Sequence, residues 1–178
     1  MLLNYENMYQ WQHLAEDDFG EESVLDDWKT RKTRNDKFFT KADWDFDKLK
    51  DSYDFNIASI IKKYPNINFI IYFPPYSVLT YIDWKNKNIF ENIINTKKYI
   101  ASSLINYPNL ELYDFQNDSQ ITTNLDLYKD IFHHNQEINS YITEMISEKN
   151  SRYRVDANSY NNVIRNFDAY VSRSKKIY

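Results

Sequence analysis

The stretch that decides the fold spans residues 64–75 and reads YPNINFIIYFPP. Its centre, residues 67–73, is a nearly continuous run of apolar, β-branched and aromatic side chains, which predicts a strand buried on both faces. Prolines flank the run on both sides. The strand is expected to end at them, because proline lacks a backbone N–H donor and restricts the conformation of the residue before it. The same pattern recurs after Tyr107-Pro108-Asn109, where residues 110–115 (LELYDF) predict a second strand.

Amphipathic helices are predicted next to both strands. Residues 45–64 carry apolar side chains at spacings of three and four, which is typical of a helix with one buried stripe. That stripe consists of Phe46, Leu49, Tyr53, Ile57, Ile60 and Tyr64. Residues 83–106 predict a second helix, which connects the two strands. A strand–helix–strand order indicates a right-handed crossover between parallel strands.

The chain divides into three predicted segments. Residues 1–43 are aromatic and acidic, and predict a helical or irregular N-terminal arm. Residues 44–150 predict an α/β core that ends in a helix beginning near Asn135, a favourable N-cap. Residues 151–178 predict a C-terminal helix and tail. The fold class is therefore α/β, helix-rich, with parallel strands.

Composition excludes several classes of function. A length of 178 residues suits one domain, and the net charge of −4 argues against a nucleic-acid partner. The absence of cysteine excludes thiol catalysis and zinc–thiolate sites. The single glycine, Gly20, excludes the glycine-rich loops that hold phosphates or dinucleotides. No cofactor is predicted, and the acidic residues of the arm meet no metal-ligand spacing.

A candidate acid–base pair lies in the polar loop after the second strand. Asp130 precedes His133 by three residues. At this spacing a carboxylate can bind the Nδ1–H of the imidazole, which fixes the tautomer and leaves Nε2 to accept a proton. The alternative is a pair of ordinary loop residues, since a chance Asp-x-x-His is common in an Asp-rich chain. A catalytic role requires the ring to lie close to the carboxylate and away from bulk solvent.

Ser77 is a candidate nucleophile at the carboxyl end of the first strand, where open α/β sheets build their sites. The order Ser77, Asp130, His133 suits a serine activated by a base. The preceding Pro74-Pro75 does not form the tight strand-to-helix turn that usually presents a nucleophile, so a turn or helix cap is the alternative. A metal site of Asp130, His133 and His134 is disfavoured, because adjacent histidines on a turn point apart.

The order of these features resembles the C-terminal half of an SGNH/GDSL-type hydrolase, most closely the cell-surface, DltD-like branch. The residues that carry the resemblance are YFPPYS at 72–77, LELYDF at 110–115 and the Asp130-x-x-His133 motif, within about residues 45–148. The resemblance implies a partial flavodoxin-like, three-layer α/β/α fold and the cleavage or transfer of acyl esters. It also implies that Asp130 orients His133 and that His133 is the general base.

The sequence departs from this family at its front. Residues 1–43 contain no strand followed by a Gly-x-Ser turn, and His134 stands where tyrosine or phenylalanine is common. We therefore expect the C-terminal portion of a longer esterase or O-acyltransferase, inactive without the upstream nucleophile, strand and membrane anchor. The expected substrate is an acylated surface glycan, the expected location of the parent protein is the cell envelope, and no signal or transmembrane segment is expected here.

The alternative function is a non-catalytic α/β module that binds carbohydrate or protein. The chain holds 16 Tyr, 11 Phe and 4 Trp, and aromatic faces stack on sugar rings and anchor interfaces. A sheet edge left uncovered would in addition favour a homodimer, because unpaired backbone groups attract another strand.

Overall fold

A computed structural model of the protein describes residues 19–33, 41–158 and 160–177, so that residues 1–18 and 34–40 of the predicted arm lie outside the described residues. The helices are α1 (Glu21–Thr33), α2 (Phe46–Tyr53), α3 (Ser59–Lys63), α4 (Val78–Asn86), α5 (Phe90–Ser103), α6 (Ser119–Thr122), α7 (Gln136–Ser147) and α8 (Tyr160–Ser174). The remaining elements are a π-helical turn (Asp54–Ala58), a 3-10 turn (Leu125–Leu127) and the strands β1 (Phe69–Phe73) and β2 (Leu110–Asp114).

The two strands pair in parallel, as the sequence predicts, with Phe69 opposite Leu110 and Phe73 opposite Asp114. The connection between them runs through α4 and α5, so the described residues form a mixed α/β fold rich in helix. Backbone hydrogen bonds from residues 153–155 cover the other edge of β2. The prediction that the first strand is buried on both faces is wrong, because Ile70 and Tyr72 are 53% and 44% exposed.

The connection between the strands contains two helices rather than the single helix predicted over residues 83–106. α4 begins at Val78 and ends at Asn86, and α5 begins at Phe90. Asn88 lies between them with φ of +57°, in the left-handed region. Asparagine tolerates this conformation, which ends a helix, better than most residues. The apolar periodicity continues across the break, which explains why the sequence pattern conceals it.

The helix predicted over residues 45–64 begins as expected, with the Asp45 carboxylate capping the Asp47 N–H, but its buried face is different. Tyr53, Ala58 and Ile61 are buried, whereas the predicted core residues Ile57 and Ile60 are exposed, and so is Tyr64. The π-helical turn is the physical reason. A π turn accommodates one extra residue, so every later side chain is rotated by about 100° relative to a continuous α-helix.

The core lies where α4, α5 and α8 meet the inner face of the sheet. The rings of Tyr81 and Phe167 pack edge to face, with centroids 4.8 Å apart. Ile138 and Ile142 of α7 are buried against the rest of the core. None of the helices within the described ranges combines the length and the apolar character needed to cross a lipid bilayer.

Candidate functional site

The loop that carries the Asp-x-x-His motif, residues 126–134, is fixed to the carboxyl end of β1. The Tyr128 hydroxyl donates to the carbonyl of Pro75 at 2.9 Å. The carbonyl of Ile131 accepts hydrogen bonds from the Ser77 N–H at 3.2 Å, from the Ser77 hydroxyl at 2.9 Å and from the Thr80 hydroxyl. The motif thus lies at the carboxyl end of the strands, where open α/β folds place their sites.

Helix α1 holds the same loop from the other side. The Gly20 N–H donates to the carbonyl of Tyr128 at 3.0 Å, and the Ser23 hydroxyl donates to the carbonyl of Lys129 at 3.0 Å. The Asp126 carboxylate accepts from the Glu21 N–H at 3.1 Å. Gly20 has φ of +133°, a conformation that side chains rarely adopt, which explains why the only glycine of the chain lies here. No motif in residues 1–43 predicts this contact between the arm and the loop.

Asp130 and His133 make the contact that the sequence predicts. The Asp130 Oδ2 lies 2.7 Å from the His133 Nδ1, while Oδ1 accepts from the backbone N–H groups of Phe132 and His133 at 2.7 and 2.8 Å. Burial raises the pKa of the Asp130 carboxyl, but the hydrogen bonds from the His133 ring and the two N–H groups outweigh it, so the net pKa is lowered. The carboxylate is therefore ionised and fixed in orientation at neutral pH.

The His133 ring is open to solvent, so the described residues meet only one of the two conditions for a catalytic role, the short distance to the carboxylate. Its side chain is 74% exposed, whereas that of Asp130 is 23% exposed. No side chain in the described part of the chain hydrogen bonds to the His133 Nε2. The described residues therefore form an oriented acid–base pair without the enclosed pocket in which such a pair works.

Ser77 lies against the motif loop but does not engage the imidazole. It is completely buried, and its hydroxyl donates to the carbonyl of Ile131. Its position directly before α4 is that of an N-cap, although its side chain caps no helical N–H. This arrangement makes Ser77 an anchor for the motif loop, because its hydroxyl proton is directed to the Ile131 carbonyl and not to His133.

His134 has a different environment from its neighbour. Its ring is half-buried, packs edge-on to the Tyr128 ring at 6.5 Å and lies 3.4 Å from the carbonyl of Asn135. Burial lowers the pKa of the His134 imidazole. Asn135 caps α7 through the Ile138 N–H at 3.2 Å, as predicted. Among the described residues no three histidine, aspartate or glutamate side chains are grouped to hold a metal ion.

A buried ionic cluster that no sequence motif predicts lies at the carboxyl end of β2. The Lys97 ammonium is 2.9 Å from the Asp114 carboxylate and donates to the Gln116 side-chain carbonyl at 2.7 Å. The Tyr160 hydroxyl donates to Asp114 at 2.6 Å. Burial lowers the pKa of Lys97, and burial together with Asp114 raises the pKa of Tyr160. The Gln116 side-chain amide in turn donates to the carbonyl of Pro74 at 3.2 Å, so the cluster joins the ends of both strands to α5 and α8.

A polar cavity of about 490 Å³ opens beside this cluster. Three of the six arginines of the chain contribute to its lining, namely Arg152, Arg154 and Arg173. Asp118, buried at the same place, accepts from the Tyr153 hydroxyl at 2.5 Å and pairs with Arg152 at 3.1 Å. Arginine forks and tyrosine rings are groups that bind polar or anionic small molecules.

Comparison with known proteins finds no relative of this chain. The chain matches no protein-family model, no curated protein and no solved structure. The resemblance to the hydrolase family therefore depends on the residues of this chain alone.

Proposed function

We propose that this chain supplies the acid–base half of an SGNH-type serine esterase or O-acyltransferase that acts on acylated surface glycans. Asp130 orients the imidazole, and His133 is the general base. The serine nucleophile belongs to a segment outside the described residues. The observation that carries the proposal is the Asp130 carboxylate, which two backbone N–H groups fix while its second oxygen holds the His133 Nδ1 at 2.7 Å.

The proposed chemistry follows from the free ring nitrogen. The His133 Nε2 would take the proton of a serine hydroxyl as that oxygen attacks an acyl carbonyl. The same nitrogen would then give the proton to the departing glycan hydroxyl, and Asp130 would stabilise the imidazolium formed in between. A ring that is 74% exposed needs a covering surface to exclude water, and in this proposal the segment with the nucleophile provides it.

The proposed parent protein would also have a larger sheet than the described residues form. A three-layer, flavodoxin-like α/β/α arrangement requires more strands than the two described, and these would come with the nucleophile. The parent protein would act in the cell envelope. The described chain by itself is expected to have little or no esterase activity, because the nucleophile is absent from the acid–base pair.

The test begins with the DNA upstream of this reading frame. We expect an in-frame segment that encodes a strand followed by a Gly-x-Ser turn. The continuous protein would be labelled with a serine-directed fluorophosphonate and assayed on an acetylated glycan. Asp130→Asn is expected to lower turnover by about 10⁴-fold and His133→Ala by about 10⁶-fold, the losses seen when the aspartate or the histidine of a serine–histidine–aspartate triad is removed.

The matched control is His134→Ala, which changes the adjacent histidine and is expected to leave turnover within a few-fold of the parent. Fluorophosphonate should leave Ser77 unmodified in the folded chain, because that hydroxyl is buried. An upstream region without a nucleophile segment would contradict the proposal. Equal turnover for the His133→Ala and His134→Ala proteins would contradict it as well.

A second candidate function is binding of a polar or anionic saccharide without catalysis. The polar cavity lined by Arg152, Arg154 and Arg173 favours it. A titration with acetylated, bare and acidic glycans, followed by tyrosine fluorescence, separates the two functions. Saturable binding that Arg173→Gln weakens and His133→Ala leaves unchanged would favour the binding module.

A further inference from the structure

The outer edge of β1 lacks a partner strand in the described part of the chain. The Phe69 N–H and the Phe73 carbonyl point towards β2, where they bond to Asn109 and Phe115. Because backbone groups alternate in direction along a strand, the N–H and carbonyl groups of Ile70 and Tyr72 point outward. A sheet of only two strands is marginal by itself, so this edge is a place where a third strand would stabilise the fold.

The edge has none of the features that prevent pairing with another chain. Proteins protect exposed edges with charged side chains, prolines or bulges within the strand. β1 reads FIIYF, and residues 64–82 contain no charged side chain. Pro74, which follows the strand, would limit pairing to the strand itself but would not block it.

Exposed apolar side chains are concentrated in the segment that leads into this strand and forms it. Of the nine large hydrophobic side chains that are exposed among the described residues, seven fall between Phe55 and Tyr72. The π-helical turn contributes to this, because it turns Ile57 and Ile60 outward. The side-chain amide of Asn109 binds the carbonyls of residues 61, 64 and 67, which fixes this stretch beside the start of β2. Such a concentration of apolar surface is typical of an interface.

We propose that the edge of β1 binds the β1 edge of a second copy of this chain, in antiparallel orientation about a two-fold axis at Ile71. In this register Ile70 lies opposite the Tyr72 of the second copy, and the two exchange backbone hydrogen bonds. The two small sheets thereby become one sheet of four strands. This edge is also the one that the additional strands of the proposed hydrolase would use, because residues 153–155 cover the far edge of β2. A dimer through β1 and an upstream strand paired with β1 are therefore alternatives for the same edge.

The outer edge of β1 is self-complementary, so a second copy of this chain fits it. The two outward-facing residues are symmetric about Ile71, so the strand is its own partner in a two-fold contact. An aromatic side chain opposite a β-branched one is a favourable cross-strand pair. A two-fold contact also brings like charges together, and the uncharged stretch 64–82 avoids that repulsion.

Sedimentation velocity over a range of protein concentrations tests the inference. We expect a monomer–dimer equilibrium whose dissociation constant rises at least tenfold in Ile70→Pro and in Tyr72→Lys. Ile70→Pro removes one outward N–H and leaves the β1–β2 hydrogen bonds intact, and circular dichroism would verify the fold. The matched control is Ile105→Lys, which introduces the same charge at a 74% exposed isoleucine elsewhere.

A cysteine pair tests the register, because the natural chain contains no cysteine. Ile71→Cys should form an intermolecular disulfide on mild oxidation, since residues directly opposite in an antiparallel pair lie within disulfide range. Phe69→Cys is the control on the same strand face, because its copies would be about 13 Å apart along the strands. The inference is wrong if the protein is a monomer at all concentrations, if the edge substitutions leave the dimer unchanged, or if the two cysteine variants cross-link equally.

Discussion

Asp130 connects the backbone of the motif loop to the chemistry proposed for it. One carboxylate oxygen closes a turn by accepting two N–H groups, and the other orients the His133 ring. The same residue would be needed for loop structure even if the chain had no catalytic role. Its effect on stability and its effect on chemistry therefore have to be measured separately.

Asp130→Asn is expected to lower the free energy of unfolding by about 1.5–3 kcal/mol near neutral pH, the range for a lost hydrogen bond to a charged group. The lowered pKa of Asp130 determines the pH dependence. Its contribution is present above the carboxyl pKa of the unfolded chain, near pH 4, and is lost as pH falls through the lower folded value. Urea denaturation at a series of pH values measures the difference between wild type and variant.

That difference should shrink in acid, where Asp130 of the wild type becomes protonated. Asp51→Asn is the control, because Asp51 is exposed on α2 and its substitution should change little at any pH. A destabilisation by Asp130→Asn that stays constant down to the lowest pH would show that ionisation is not the cause.

At the scale of elements, the π-helical turn decides which side of the α2–α3 helix faces the core. Tyr53 and Ala58 are five residues apart, and Ile61 follows three residues later. A regular α-helix places residues at spacings of three and four on one face, and a spacing of five requires the wider turn. The turn thus buries Ala58 and Ile61, and leaves exposed the three side chains that the sequence pattern predicts to be buried, Ile57, Ile60 and Tyr64.

Deletion of Asn56, an exposed residue of the π-helical turn, should therefore be tolerated. The deletion brings Tyr53, Ala58 and Ile61 to spacings of four and three, so the same side chains stay buried on a regular helix. We expect the free energy of unfolding to change by less than about 1 kcal/mol, which is the scale of local helix adjustments. Chemical denaturation followed by far-ultraviolet circular dichroism measures it.

Deletion of Asn95, which is exposed in the middle of α5, is the matched control. It would rotate buried Lys97 and Ala101 out of register and should destabilise the protein by more than about 3 kcal/mol, as displaced core residues do. Equal losses for the two deletions would contradict the interpretation of the π-helical turn.

At the scale of the whole molecule, buried polar contacts join segments that are far apart in the chain. Lys97 of α5 meets Asp114 at the end of β2 and, through it, Tyr160 at the start of α8. A buried charge without its partner is costly, because the protein interior solvates ions poorly. The cluster therefore fixes the C-terminal helix against the sheet.

Lys97→Met is expected to lower the free energy of unfolding by about 3–5 kcal/mol, since it leaves the Asp114 carboxylate buried without a cation. The double variant Lys97→Met/Asp114→Asn should recover part of this loss, because it removes the orphaned charge too. A double-mutant cycle by urea denaturation provides the numbers. A double variant less stable than Lys97→Met would show that the pair is not the source of the effect.

Local features of this protein could be predicted because they depend on residues near each other in sequence. The two strands and their parallel pairing follow from short apolar runs bounded by prolines and joined by a helical segment. The contact between Asp130 and His133 follows in the same way, since a spacing of three residues places both side chains on one turn of chain. The Asn135 cap is equally local.

The sequence by itself determined the α/β class, the order of the main elements and the acid–imidazole pair, because backbone periodicity and short-range sterics are properties of neighbouring residues. Only the tertiary structure decided what surrounds that pair. It left the His133 ring exposed. It also joined Ser77 to the Ile131 carbonyl and Gly20 to the Tyr128 carbonyl, and the two residues of each pair are more than fifty positions apart in the sequence. Such contacts depend on how whole elements pack. The apolar periodicity of residues 45–64 also does not indicate the π-helical turn, which changes the buried face of the α2–α3 helix.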